Sequence, residues 1–268
     1  MRTEEVSSAS NPKFKKLLAL REKSSLRRSE GLFVAEGRRE IENMLSAGFV
    51  AETVFICRDI FPDCGALLEK AAEANQSLLA VEIPRALYAK AAFREGTEGI
   101  LAEVRCHNLR LEDIPLRKDP LVIVLEAVEK PGNLGAVLRS ADAAGADAVL
   151  VCDPLTDLYN PNLIRASLGA IFTVPCVACS SDDAIGWLKA HKIKILTAQL
   201  QDSELYYDTP MTGGTAIVMG AESTGLSPVW RQSADAHIRI PMLGTLDSLN
   251  VSVSAAILLF EAVRQRNA

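Results

Sequence analysis

Apolar positions recur at two spacings along the chain, and the alternation between them lays out strands and helices. A helix is expected after Asn11-Pro12, with the asparagine as cap and proline in the first turn; Phe14, Leu17, Leu18 and Arg21 then fall on one side. Residues 31–37, GLFVAEG, read as a short buried strand between glycines, and 38–47 as a helix with Ile41, Met44 and Leu45 at i, i+3 and i+4. Further strands are predicted at 54–57, 78–81 and 100–104, and helices at 64–74 and 84–92. This alternation indicates an α/β domain over residues 1–106. Residues 107–119 are polar and charged, and read as a linker.

A second domain, 120–268, opens with the continuous apolar run 121–125, the pattern of a parallel strand buried on both faces. Asn133 can cap the following helix, whose buried stripe is Leu134, Val137, Leu138 and Ala141. Arg139 lies about 140° round that helix from Leu134 and points away from the stripe. Gly145 ends the helix. Strands are predicted at 148–152, 173–177, 193–198 and 216–219, with helices after Asn160-Pro161, at 182–191 and at 251–264. In the last helix, Val253, Ala256, Ile257 and Phe260 are expected to face inward. The fold class is α/β: a mostly parallel C-terminal sheet with helices on both faces, and a smaller N-terminal α/β domain.

Composition narrows the function classes. A hydrophobic content of 49% supplies a core. No apolar run approaches the roughly 20 residues that cross a bilayer, and residues 1–16 contain no apolar signal core, so a soluble cytoplasmic protein without a membrane partner is expected. Six dispersed cysteines do not form a disulfide scaffold. Cys176-Val-Ala-Cys179 is a single CxxC without a second pair or nearby histidine, and reads as small buried residues at a strand end rather than a metal site. Net charge is −5, but residues 1–40 carry ten Lys/Arg against six Asp/Glu, leaving 19 against 28 for the rest. The cluster Lys13, Lys15, Lys16, Arg21, Lys23, Arg27 and Arg28 can hold phosphates or form a solvated helix face.

Three blocks place glycine, serine or asparagine between a strand-like run and a helix: 129–145 (EKPGNLGAVLRSADAAG), 217–227 (IVMGAESTGLS) and 240–263 (IPMLGTLDSLNVSVSAAILLFEAV). Converging strand ends of this kind suggest a pocket built largely from backbone. Gly132-Asn-Leu-Gly135 is not GxGxxG, and no acidic residue follows at a convincing strand end, so a dinucleotide site is disfavoured. In order, Asn133-x-Gly-x-x-x-Arg139, Gly220-Ala-Glu222 with Gly225, and Ile240-Pro241-Met242 followed by Ser248-Leu249-Asn250-Val251-Ser252 resemble motifs one, two and three of the SpoU/TrmH class of RNA ribose 2′-O-methyltransferases. The resemblance covers 118–268. Residues 1–106 resemble, more weakly, the ribosomal-protein-like RNA-binding domain that many such enzymes carry.

The resemblance implies S-adenosyl-L-methionine as cofactor, a deep C-terminal trefoil knot and a homodimer that completes the active site. It implies that Gly220, Ile240 and Leu249 contact the cofactor, with Met242 and Thr197 in the same pocket. Arg139 is implied to serve the ribose oxygen. A free guanidinium titrates above about pH 12 and costs roughly 7 kcal/mol to bring near neutrality, so gripping phosphate and stabilising alkoxide charge is the physically easier role. Asn133 caps its helix, orients Arg139 or touches substrate. Glu222 holds Arg139 or a neighbouring amide, or acts as base. Ser248 and Asn250 position ribose and cofactor, or cap the last helix. Lys130 stands where many members carry aspartate. His107, His191 and His237 belong to no catalytic motif. The partner is structured RNA, ribosomal RNA before transfer RNA, docked by Lys13, Lys15, Lys16, Arg21, Arg27, Arg28, Arg38 and Arg39. The alternative is a non-catalytic RNA-binding or ribosome-assembly protein on the same fold.

Overall fold

The structure, a computed structural model, describes residues 1–93 and 98–268. The chain divides into two units: Met1–His107 with Tyr159–Ile164, and Asn108–Leu158 with Arg165–Ala268.

The first unit contains β1 (Arg2–Glu5), α1 (Pro12–Glu22), α2 (Ser24–Glu30), β2 (Leu32–Glu36), α3 (Arg38–Ser46), β3 (Ala51–Ile56), α4 (Gly65–Ala74), β4 (Leu79–Glu82), α5 (Arg85–Ala91) and β5 (Ile100–Arg105). Its sheet order is β1-β4-β3-β5-β2, with β5 antiparallel to both neighbours. Asn11 caps α1 by accepting the Lys13 amide at 2.9 Å. The buried residues of α1 are Phe14, Leu17 and Leu20, so Leu20 takes the place expected of Leu18. The basic stretch is two helices, broken at Lys23, which is extended (φ −107°, ψ 108°). Strand β1 was not legible: RTEE is exposed throughout and pairs in parallel with β4. Phe33 stacks on Tyr159 with centroids 4.4 Å apart.

The second unit contains β6 (Leu121–Glu126), α6 (Pro131–Ala143), β7 (Ala148–Cys152), α7 (Pro161–Ser167, shared with the first), α8 (Ala170–Thr173), β8 (Cys176–Cys179), α9 (Ser181–Ala190), β9 (Lys194–Ala198), β10 (Glu204–Leu205), β11 (Thr215–Met219), α10 (Pro228–Ser233), β12 (Ala236–Arg239) and α11 (Val251–Arg266). The strand order is β10-β12-β9-β11-β6-β7-β8, and every pairing among them is parallel. Strand β6 is buried at all positions because helices cover both faces. Val122 and Val124 join Trp187, Leu188 and Trp230 of α9 and α10 in one core. On the other side α6 and α11 pack on each other, with α11 also against β6 and β11.

Three expectations need correction. The stretch read as a linker carries Leu111 and Ile114 into this core, and Arg117 binds buried Asp147 through its Nε (2.8 Å) and Nη2 (2.8 Å). The strand expected at 173–177 begins only at Cys176, because α8 continues through Thr173. In α11 the buried residues are Val251, Ala255, Leu258, Leu259, Glu261 and Ala262, while Val253 and Phe260 are exposed. Alanine-rich helices offer two apolar stripes, and periodicity alone does not choose between them. Among the described residues no helix is long and apolar enough to cross a membrane.

Candidate active site

The three glycine-bearing blocks meet at the C-terminal ends of the second unit's strands. Asn133 sits in the first turn of α6, Glu222 in the loop after β11, and Asn250 at the start of α11. Asn133 Nδ2 donates to Glu222 Oε1 at 2.7 Å, and Asn250 Nδ2 reaches the same oxygen at 3.2 Å and Asn133 Oδ1 at 3.3 Å. Lys130 Nζ donates to Glu222 Oε2 at 2.6 Å. The Lys130 ammonium holds the Glu222 carboxyl below the usual carboxylate range, helped by the Asn133 amide, and Glu222 in turn raises Lys130. Glu222 is thus an ionised acceptor that ties the three blocks together.

Asn133 is not the helix cap; Lys130 occupies that position without a side-chain cap, and the Asn133 amide is spent on Glu222. Asn250 does two things: its Oδ1 accepts the Ser252 amide at 2.9 Å, capping α11, while its Nδ2 faces Glu222 and Asn133. Ser248 Oγ donates to Asp247 Oδ1 at 3.2 Å. Among the described residues Arg139 has no hydrogen-bond or ion-pair partner, and it is exposed on α6. Six residues beyond Asn133, it lies about 120° round the helix and about 9 Å along it. Glu222 therefore does not hold it.

Beside this assembly is a cavity of about 570 Å³ lined by Gly220, Glu222, Ile240, Met242, Ser248, Leu249 and Asn250, together with Ala198 and Gln199. Gly220 is required sterically: a Cβ there would stand 2.2 Å from the Gly225 backbone carbon. The loop folds back on itself, with the Gly225 amide donating to Ala221 O at 2.9 Å and Gly225 at φ +67°. Thr197 does not line the cavity. It is fully buried, and its hydroxyl lies 2.6 Å from Nδ1 of His237, its partner across β9 and β12. The chain reaches the cavity one residue later. The signal for His237 was available only from strand register, which the sequence does not print.

The basic residues of the first unit separate by what they touch. Arg21 Nη1 donates to the carbonyls of Lys90, Ala91 and Ala92 (3.0, 2.9 and 3.2 Å) and lies over the Phe93 ring. Buried Arg27 donates to Leu20 O at 2.6 Å and Arg21 O at 3.1 Å. Arg38 binds the carbonyls of Glu98 (3.1 Å) and Ile60 (3.3 Å) and stacks over Phe61. These three hold the fold, because a guanidinium caps several carbonyls at once. Lys13 pairs with Glu4, and Lys16 with Glu30 at 3.2 Å. Lys15, Lys23, Arg28 and Arg39 are exposed and make no ion pair among the described residues. Also among the described residues, no cluster of three or more His, Cys, Asp or Glu could hold a metal.

Residues 120–260 match the SpoU rRNA Methylase family, and residues 11–102 match the MRM3-like substrate binding domain. The 23S rRNA (uridine(2479)-2′-O)-methyltransferase of Streptomyces viridochromogenes is 30% identical over 96% of this chain and 91% of its own length. RlmP of Bacillus subtilis, a 23S rRNA (guanosine(2553)-2′-O)-methyltransferase, is 30% identical over 96% of this chain and 98% of its own. The AdoMet-bound rRNA methyltransferase from Sinorhizobium meliloti superposes with a TM-score of 0.90 at 28% identity, covering 98% of each chain. The motif blocks, the sheet that carries them and these relatives place the chain in the SpoU rRNA methylase family.

Proposed function

We propose that the protein transfers a methyl group from S-adenosyl-L-methionine to a ribose 2′-hydroxyl of structured RNA, ribosomal RNA in preference to transfer RNA. The observation that carries the reading is the Asn133–Glu222–Asn250 assembly at the mouth of the cavity. The relatives are named as 23S rRNA 2′-O-methyltransferases, which supports the ribosomal substrate.

The cavity fits the cofactor chemically. Its volume falls in the roughly 300–1,000 Å³ range of small-molecule sites. Gly220 leaves room for only bare backbone, Ile240 and Met242 give main-chain polar groups beside apolar side chains, and Leu249 supplies an apolar face. The cofactor brings an electrophilic methyl group. This chain's residues align the ribose oxygen and manage its charge. Glu222 holds the amides of Asn133 and Asn250 in one hydrogen-bonded unit beside the cavity, and Ser248 contributes a hydroxyl to its lining. Arg139 stabilises the developing alkoxide as a cation.

Because Arg139 stands away from Glu222 in its own chain, we infer that it serves the site of a second copy. A homodimer through the C-terminal domain would cover the exposed Val253, Phe260 stripe of α11, and Leu243 and Leu246 are also largely exposed. We extend the reading to the family's trefoil knot, supported by the path from β11 past β9 to β12 and back to α11 against β6 and β11. The two-unit division with a boundary near residue 107 supports separate RNA-docking and transfer domains, and cytoplasmic action accompanies a ribosomal substrate.

The test is transfer of labelled methyl to RNA lacking this protein's modification, followed by digestion to nucleosides. Label in 2′-O-methylribose with wild type but not with Arg139→Ala is the expected result. RNA binding without label in any fraction would favour a ribosome-assembly role instead.

A further inference from the structure

Glu126 is the last residue of β6, only 6% exposed, and among the described residues no Lys or Arg pairs with it. A buried carboxylate is costly unless hydrogen-bonded, so its partners indicate what it is for. Its Oε2 accepts the backbone N–H of Ser227 at 2.8 Å. Its Oε1 lies 3.4 Å from Ser181 Oγ, but that hydroxyl donates at 2.6 Å to Asp153 and accepts from Trp230 Nε1 at 2.9 Å. The bond to Ser227 is therefore the short one.

Ser227 closes the loop that begins at Gly220 and carries Glu222. At the loop's start, Met219 pairs with Leu125 of β6. Both ends of the loop are thus fastened to consecutive residues of one strand, Leu125 through the sheet and Glu126 through its carboxylate. The same strand leads, through Ala127 at φ +51°, to Lys130 and Asn133. Strand β6 accordingly sets the position of Glu222 and of the groups Glu222 binds.

We propose that Glu126 is a positioning residue for methyl transfer: its carboxylate fixes the register of loop 220–227 and so presents Glu222 to Asn133. The proposal rests on the methyltransferase reading, but its anchoring step can be measured without catalysis. Three variants test it. Glu126→Leu removes the acceptor, Glu126→Gln keeps a carbonyl oxygen for Ser227, and Ser227→Pro removes the donor at a φ of −65° that proline already favours. Hydrogen exchange at the loop amides should quicken in the Leu and Pro variants and stay slow in the Gln variant. The turnover rate should fall on the order of 100-fold in the Leu variant. It should fall no further when that change is added to Glu222→Gln, and should largely return with Gln. Multiplying losses, equal damage from Leu and Gln, or unchanged loop exchange in the Leu variant would each overturn the proposal. Should the Leu variant fail to fold, Ser227→Pro gives the same readouts. An inactive wild type with loop exchange as expected would sink the methyltransferase reading and leave the anchoring established.

Discussion

Asn133 and Glu222 stand 89 positions apart in sequence and 2.7 Å apart in space, joined by an amide donating to a carboxylate that Lys130 keeps ionised. Groups acting as one unit lose function together. Asn133→Ala and Glu222→Gln should each lower the turnover rate on the order of 100-fold. The double variant should be little worse than either, a coupling of about 0.5–3 kcal/mol. Asn133 does not line the cavity, so cofactor binding by calorimetry should be nearly unchanged in Asn133→Ala. A large loss of cofactor affinity there would contradict the placement.

Arg139 provides a test of how the site is completed. It is exposed and unpartnered among the described residues, so Arg139→Ala should shift unfolding free energy by no more than about 0.5 kcal/mol. If each site combines Glu222 of one copy with Arg139 of the other, co-expressed Arg139→Ala and Glu222→Gln chains form mixed dimers with one intact site. About a quarter of wild-type activity should then return from two inactive parents. Activity that stays at the parental floor would place Arg139 in the site of its own chain.

The sequence made the strand-and-loop plan legible for the first two blocks, because each follows a buried apolar run, β6 or β11, of the kind a doubly covered parallel strand requires. Gly220, Glu222 and Asn250 were identifiable from the motif resemblance. What escaped depended on register or on a second use of a residue. Thr197 alternates away from the cavity to meet His237 on a strand the sequence did not reveal. Arg21, Arg27 and Arg38 look like phosphate ligands in a charge count, yet all three cap carbonyls. Val253 and Phe260 lie on the apolar stripe that the fold leaves outside.

The division of basic residues predicts two kinds of phenotype. Lys15→Glu and Arg28→Glu should weaken RNA binding at unchanged melting temperature and flatten the dependence of log affinity on log salt by roughly 0.7–0.9 per lost phosphate contact. Arg27→Ala should instead cost about 1.5–3 kcal/mol of stability, since it strips charged hydrogen bonds from buried carbonyls. Salt-titrated binding and denaturant unfolding on the same three proteins separate the two. Equal salt slopes for wild type and both reversals would remove Lys15 and Arg28 from the RNA-binding surface.

Glu103 on β5 gives the first unit a pH dependence of definite sign. It is 4% exposed, with Oε1 buried and unpartnered. Burial pushes its carboxyl from 4.5 up to about 7, against the opposing pull of Lys16 and a hydrogen bond from Thr53, with Glu52 and Glu30 adding to the rise. The folded state therefore holds this proton more tightly than the unfolded chain. Its contribution is fully present below the unfolded value near 4.5 and is lost as pH rises towards 7. At about 1.4 kcal/mol per unit, the loss is at most roughly 3–4 kcal/mol, because water entry softens burial. Glu103→Gln, which stays neutral, should be more stable than wild type at pH 8, and the difference should vanish near the 4.5 at which the unfolded carboxyl titrates. Urea unfolding across that range measures it directly. A difference that is flat with pH, or that grows on acidification, would mean that Glu103 is ionised in the folded protein.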